Sequence, residues 1–313
     1  MNSLSQSFRK PKRSLLKIKQ NWGLYLLLLP AVTLTALFAY KPMYGVLMAF
    51  QDFKPSLGIF DSPWADPWFK HFLKFFKSYQ FKTTIKNTLI INFYSLIAGF
   101  PLPILMALVV NQMQSKRFKK TFQTITYMPH FISTVVMVGM LLIFLSPGSG
   151  LIGNIYRLFG KTAPNLMAGS TSFYSVYVWS DIWQHVGWDS IIYIAALSTV
   201  DPTLYEAATV DGANRWQKIV HIDVSIIVPT AIILLILRVG NLMGLGFEKV
   251  YLMQNDLNLK GSEVISTYVY KIGIISTQYS YSAAINMFNT IVNFILLITV
   301  NQIAKRMSET SLW

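Results

Sequence analysis

The chain has 313 residues, 53% of them hydrophobic and only 13% charged, against about 25% charged in ordinary soluble domains. That composition excludes a soluble globular fold and reads as a polytopic membrane protein. With no cysteine there is no disulfide, thiol redox site or Cys-ligated metal, and the net charge of +14 is read as membrane topology rather than nucleic-acid binding, because basic residues collect in cytoplasmic loops.

Residues 1–23 are a basic segment carrying Arg9, Lys10, Lys12, Arg13, Lys17 and Lys19. Six apolar runs then reach the roughly 20 residues that a helix needs to cross a bilayer core. They lie at about 24–47, 84–110, 128–146, 173–198, 226–247 and 283–304. The first follows a basic stretch as a signal peptide would, but it is long, lacks an A-x-A site and precedes five more runs, so it is read as a retained helix. The predicted fold is an all-α polytopic membrane domain over 24–313 with six transmembrane helices. With both termini inside, inner segments hold 14 Lys and Arg against 10 outside, which orients the chain.

Between the first two runs, "PWADPWFKHFLKFFKSY" (63–79) sets Trp68, Phe72, Phe75, Phe76 and Tyr79 on one helical face and Lys70, Lys74 and Lys77 on another. It reads as an amphipathic helix lying in the membrane interface. The second run repeats Thr88, Asn92, Ser95 and Gly99 on one face, then meets Pro101 and Pro103, which should kink it. Lys116, Arg117, Lys119 and Lys120 follow. In the outer loop 147–172, "GKT" at 160–162 has Ile155 where a phosphate-binding loop needs glycine. No ATP site is expected in this chain, and no other catalytic or metal-binding pattern is present.

The fourth run contains "WSDIWQHVGWDS". Asp181, His185 and Asp189 fall at i, i+4 and i+8 with Trp188 at i+7, all on one face. Ionisable groups in lipid cost about 2.5–3.5 kcal/mol each on insertion scales, so they face a cavity or one another. Two readings stand: inter-helix hydrogen bonding, or the wall of a polar, aromatic pathway on which sugars stack. Trp179 and Trp183 suit an interface belt. The fifth run has Arg238 near its middle, Asn241 one turn on, and Gly240 and Gly244 at a spacing that favours close helix packing. The sixth has Asn286, Asn289 and Asn293 on one side. Four polar stripes suggest one shared interior path.

The segment 201–225, between the fourth and fifth runs, is too charged for lipid: it carries Glu206, Asp211, Arg215, Lys218 and His221. Asp201 is a good N-cap with Pro202 at the first helical position, and Thr203 and Glu206 have capping-box spacing. Ala207 and Ala208 offer a small surface, Gly212 a turn, and "ANRWQKIVHI" a second helix with Trp216, Ile219 and Val220 on one side. Two short helices about a glycine form a knob suited to a cleft on another protein.

"EAATVDGANRWQKIVHI" resembles the EAA loop of permease subunits of binding-protein-dependent ABC importers. Glu206, Ala207, Ala208, Gly212 and Ile222 match the pattern, and Asp211 and Ala213 supply the "DGA" form common in sugar permeases. Val224 and Ser225 stand where the family has Leu-Pro, leaving Pro229 to supply a bend. "LLPAV", "NTLIINFYSLIAGFPLPILMALVVNQ", "RFKKTFQTITYMPHFIS", "GWDSIIYIAALSTVDPTLYEAA" and "VGNLMGLGFEKVYLM" extend the resemblance to the LplB-like complex-carbohydrate permeases over nearly the whole chain. The resemblance implies a type I importer permease in a bacterial cytoplasmic membrane. Its partners would be a second permease, two ATPase subunits that bind ATP and Mg, and an external solute-binding protein. Oligosaccharides, some from acidic polysaccharides, would be the cargo. Glu206, Ala207, Ala208, Asp211, Gly212 and Ala213 would couple to the ATPases, and the chain would carry neither cofactor nor catalytic site of its own. The alternative is a proton-coupled carrier using Asp181, His185, Asp189 and Arg238 as a relay. A membrane-embedded enzyme has no catalytic constellation to support it.

Overall fold

The computed structural model describes residues 20–307; the basic cluster from Arg9 to Lys19 lies outside them. In chain order the main helices are α1 (Trp22–Phe50), α2 (Lys70–Lys77), α3 (Tyr79–Asn111), α4 (Lys116–Phe131), α5 (Thr134–Phe144) and α6 (Leu151–Leu158). Then come α7 (Ser170–Leu197), α8 (Pro202–Val210), α9 (Arg215–Gly240), α10 (Phe247–Met253), α11 (Ile265–Ile275) and α12 (Tyr279–Met307). Among the described residues, β pairing is limited to an isolated bridge between Gln51 and Trp64.

α1, α3, α9 and α12 are long and apolar enough to cross a membrane. α7 has 28 residues, about 42 Å at 1.5 Å per residue, long enough to cross but diluted by its own polar stripe. The third predicted span, 128–146, is not one helix. α4 and α5 meet at 97°, and only as a pair do they pass as a span. Pro129 and the extended backbone at Ile132 and Ser133 end α4, and Ser133 caps α5. The backbone group freed at this break is satisfied from α7, where Gln184 Nε2 donates to the Ile132 carbonyl at 2.8 Å. The architecture is compatible with six crossings: four apolar, one broken and one polar.

α7 is the centre of the bundle. Its Phe173, Tyr177 and Val178 pack with Ile91 of α3, Val138 of α5 and Val250 and Met253 of α10. Lower down, Tyr193 and Leu197 pack with Ala107 and Leu108 of α3 and Ile227 of α9. Between spans lipid offers no hydrophobic gain, so contact depends on close fit. Gly187 is one such point: a Cβ there would lie 2.1 Å from the Thr126 carbonyl oxygen, so α4 and α7 meet backbone to backbone.

Two sequence expectations change. Phe75 of α2 is buried against Phe81 and Phe288, with ring centroids 5.1 and 5.8 Å away, and Lys74 sits over the Tyr281 ring and donates to Gln278. α2 therefore covers the adjoining ends of α3 and α12, while Trp64, Trp68, Phe69, Phe76 and Tyr79 remain exposed as an aromatic fringe. The fifth span is also displaced: α9 begins at Arg215 and stops at Gly240, not at 247. Gly240 packs on α12, since a Cβ there would meet Leu297 at 2.5 Å. Gly244 lies past the helix end, against the Asn241 side chain, so only one of the two glycines serves helix packing. At the prolines of α3, Phe100 separates the segments Tyr79–Gly99 and Pro101–Asn111 but keeps helical dihedrals, and the two run on as one candidate span.

Candidate functional site: a charge-paired cavity and an exposed coupling loop

A cavity of about 740 Å³ opens between α3, α7 and α9. α7 contributes Asp181, Trp188 and Asp189, α3 contributes Asn92 and Ser95, and the end of α9 contributes Arg238 and Asn241. Three of the four polar stripes therefore meet. His185 lines a smaller adjoining space with Asp181, Asp189 and Arg238, and its Nδ1 lies 3.6 Å from Asp181 Oδ1.

The charges are paired across helices. Arg238 donates to Asp189 at 2.9 Å. Lys249 of α10 donates to Asp181 Oδ1 at 3.1 Å and to the Tyr177 carbonyl at 3.2 Å. Lys249 is 7% exposed, so its ammonium sits in the wall while Asp181 faces the space. Sequence reading missed Lys249 because it lies in "GLGFEKV", assigned to an outer loop; its apolar neighbours were the available signal. It also missed His130, which stacks on Trp188 with centroids 4.3 Å apart. His130 and Phe131 lie at the break between α4 and α5, so the broken span packs on the indole, which also lines the cavity.

The α12 stripe does not join this wall. Asn293 Oδ1 accepts from the Met243 backbone N–H at 2.9 Å, holding the unwound segment after α9. Asn286 is exposed and is absent from the cavity lining. The reason is rotational: α12 presents Asn293 to that backbone and Asn286 to the surface, while Ile285 and Tyr281 face the core.

The absence of native cysteine makes access measurable. Cysteine at Asn241 should react with a water-soluble thiol reagent, and cysteine at fully buried Val178 should not. If positions 185 and 241 both stay unlabelled in every nucleotide state, the cavity is a packing defect.

The loop 201–225 is built by its caps. Asp201 Oδ1 accepts from the Thr203 N–H at 2.9 Å, so Asp201 alone caps α8 and Thr203 falls inside the first turn. The capping box forms one helix later, between Asn214 and Gln217. α8 ends with Gly212 at φ +78°, and Ala213 N–H reaches the Ala208 carbonyl at 2.8 Å while Gly212 N–H reaches Thr209 at 3.1 Å. This is the two-bond glycine stop that closes helices in a left-handed turn. Lys218 Nζ then bonds Thr209 Oγ1 at 2.7 Å, tying the two sides of the turn. Glu206, Ala207, Asp211 and Gly212 are exposed, and Ala208 and Ala213 half-buried. Leu204, Val210 and Trp216 also stand out, with Val210 88% and Trp216 70% exposed. Exposed apolar groups of this kind are normally covered by a partner protein or by the membrane.

The second half of the knob is not a separate helix. Arg215–Lys218 runs through a π-type turn at Ile219–Asp223 straight into the span. The irregularity expected at Pro229 sits at that turn instead, and Pro229 is carried inside the helix. At the base of the knob, Tyr205 donates to the buried Asp223. Burial first, and this hydrogen bond second, push the Tyr205 phenol up to about 12, so it remains a donor at any physiological pH.

Comparison with known proteins places these features in a family. Residues 99–309 match the model described as the binding-protein-dependent transport system inner membrane component. Among relatives, the polygalacturonan/rhamnogalacturonan transport system permease protein YteP of Bacillus subtilis (strain 168) is 40% identical over 304 residues, covering 97% of this chain and 94% of its own. Protein LplB of the same organism is 38% identical over 296 residues, covering 95% and 92%. A chain of a crystal structure of a bacterial ABC transporter involved in the import of the acidic polysaccharide alginate superposes with TM-score 0.87 at 39% identity, over 95% of this chain and 99% of that one. With its helical bundle, its exposed EAA-type loop and a match over most of its length, the chain belongs to the binding-protein-dependent transport system inner membrane component family and is a multi-pass permease of an ABC transport system.

Proposed function

We propose that this permease carries carboxylate-bearing oligosaccharides into a bacterial cytoplasm, as one of two permease subunits driven by a pair of ATP-binding subunits. In this reading both termini and the loop 201–225 are cytoplasmic, an external solute-binding protein delivers the cargo, and ATP and Mg are bound by the partners. This chain uses no cofactor.

One observation carries the substrate class: Arg238 lines the cavity and Lys249 sits buried behind its wall, each neutralised by an internal carboxylate on α7. Such a site is uncharged when empty. It accepts an anionic sugar by exchange, with the substrate carboxylate taking the place of Asp189 on Arg238 while Asp189 turns to sugar hydroxyls. A guanidinium suits a carboxylate because its planar fork makes two parallel hydrogen bonds. Trp188 supplies an aromatic face for sugar C–H groups, and Asn92 and Asn241 supply amides. The relatives named for polygalacturonan and for alginate are consistent with this class.

The test is uptake by the purified complex in vesicles, comparing a labelled oligouronate with a neutral oligosaccharide of equal length. ATP-dependent uptake that favours the oligouronate is expected. Equal uptake of both would overturn the acidic preference. Uptake driven by a proton gradient without ATP would overturn the importer reading in favour of a secondary carrier.

A further inference from the structure

We propose that Asp223 is a joint that transmits movement of the coupling loop to two walls of the cavity. The inference rests on the importer reading above and adds a positioning residue to it. The Asp223 side chain is fully buried, yet among the described residues it has no cationic partner. It is held by neutral donors from two other segments. Tyr205 Oη, from α8 and one residue before Glu206, donates to Oδ1. Asn111 Nδ2 donates to the same oxygen at 3.3 Å and to Tyr205 Oη at 3.4 Å. Gln112 Nε2 donates to Oδ2 at 2.9 Å. Asn111 and Gln112 lie at the end of α3, and Asp223 itself closes the π-type turn at the base of α9.

One carboxylate thus ties the loop helix to both α3 and α9. Those two helices carry, at their far parts, Asn92 and Ser95, and Arg238 and Asn241. Simple packing would be met by an apolar side chain at 223. A buried carboxylate requires its donors to follow it, because an under-satisfied charge away from water is costly. It therefore fixes the relative placement of three segments more tightly than contact alone. The π-type turn beside it, where the helix ladder is irregular and such turns often mark functional sites, is where α9 can yield.

The experiment compares Tyr205→Phe and Asp223→Asn with Gly212→Pro in the reconstituted complex. It measures assembly, basal ATP hydrolysis, solute moved per ATP, and thiol labelling of an Asn241→Cys reporter with and without ATP. Tyr205→Phe removes one hydroxyl; Asp223→Asn keeps the Tyr205 bond but presents an amide to Gln112. The expected result is intact assembly and hydrolysis in both. Solute per ATP should fall about fivefold or more in Tyr205→Phe, with a smaller fall in Asp223→Asn. Reporter labelling in Tyr205→Phe should no longer respond to ATP. Wild-type solute per ATP and a responsive reporter in Tyr205→Phe would overturn the joint. Coupling that falls only in step with assembly would also overturn it, by assigning Asp223 a scaffold role. If Gly212→Pro uncouples and Tyr205→Phe does not, the joint fails and the importer reading stands; if Gly212→Pro leaves coupling intact, the reading of the loop itself fails.

Discussion

Replacing Gly212 with proline should leave the complex assembled and hydrolysing ATP while transport falls by about tenfold or more, a loss of the size expected when the coupling between two sites is broken. Gly212 holds φ +78°, whereas the proline ring fixes φ near −65°, so the two conformations are incompatible. Proline also lacks the N–H that Gly212 gives to Thr209, and the turn it displaces would cost Ala213 its bond to Ala208. Alanine keeps the N–H but meets left-handed strain of about 1–2 kcal/mol, so Gly212→Ala should retain part of the coupling. Glu206→Lys tests the same surface by charge. Its side chain is exposed, with the exposed Val210 one turn on along the same face, so reversal should leave the fold alone and act on docking. Hydrolysis and uptake should be read from the same vesicles. Wild-type coupling in both Gly212→Pro and Glu206→Lys would remove the loop from the mechanism.

Arg238→Ala should be more harmful to assembly than Arg238→Ala combined with Asp189→Ala. The single change strands a carboxylate inside a span, at an insertion cost of about 2.5–3.5 kcal/mol; the double change removes both charges. Asp189 and Arg238 are 34% and 41% exposed to the cavity, so water there softens the penalty without abolishing it. The yield of complex should fall several-fold in the single variant and recover in the double. Oligouronate uptake should stay low in both, about tenfold below wild type, if the cation receives the substrate. Recovery of uptake together with yield in the double variant would show that Arg238 serves only to neutralise Asp189.

Much of this was legible in the residues themselves. Helix α8 and its stop follow from Asp201, Pro202 and Gly212, because caps and left-handed turns are local chemistry. The stripe from Asp181 to Asp189 follows from helical spacing, and its partner Arg238 from the cost of a lone charge in lipid. What escaped is non-local. Whether Asn286 and Asn293 face the cavity depends on the rotation of α12, which Leu297 against Gly240 and Tyr281 in the core determine. Lys249 reaches Asp181 only because α9 ends at Gly240 and the chain from Asn241 to Gly246 carries α10 to the side of α7 that holds Tyr177 and Asp181. The α4–α5 break hides within an apolar run, since hydropathy counts residues and not the direction of the backbone.

That break should impose an order of events during synthesis. α5 has 11 residues, about 16 Å of helix, half of a bilayer core of about 30 Å. When it leaves the ribosome, the Ile132 carbonyl has no donor, and Gln184 lies 52 residues downstream. Gly187, which lets α7 seat on Thr126, comes later still. The α4–α5 pair should therefore settle only once α7 has been made, the two together rather than one after the other. Nascent chains ending near residue 146 should show a reporter at that end on both sides of the membrane. Chains ending after 198 should show one fixed arrangement, and Gln184→Leu should return them to the mixture. A single arrangement already present at 146 would mean that α4 and α5 enter unaided.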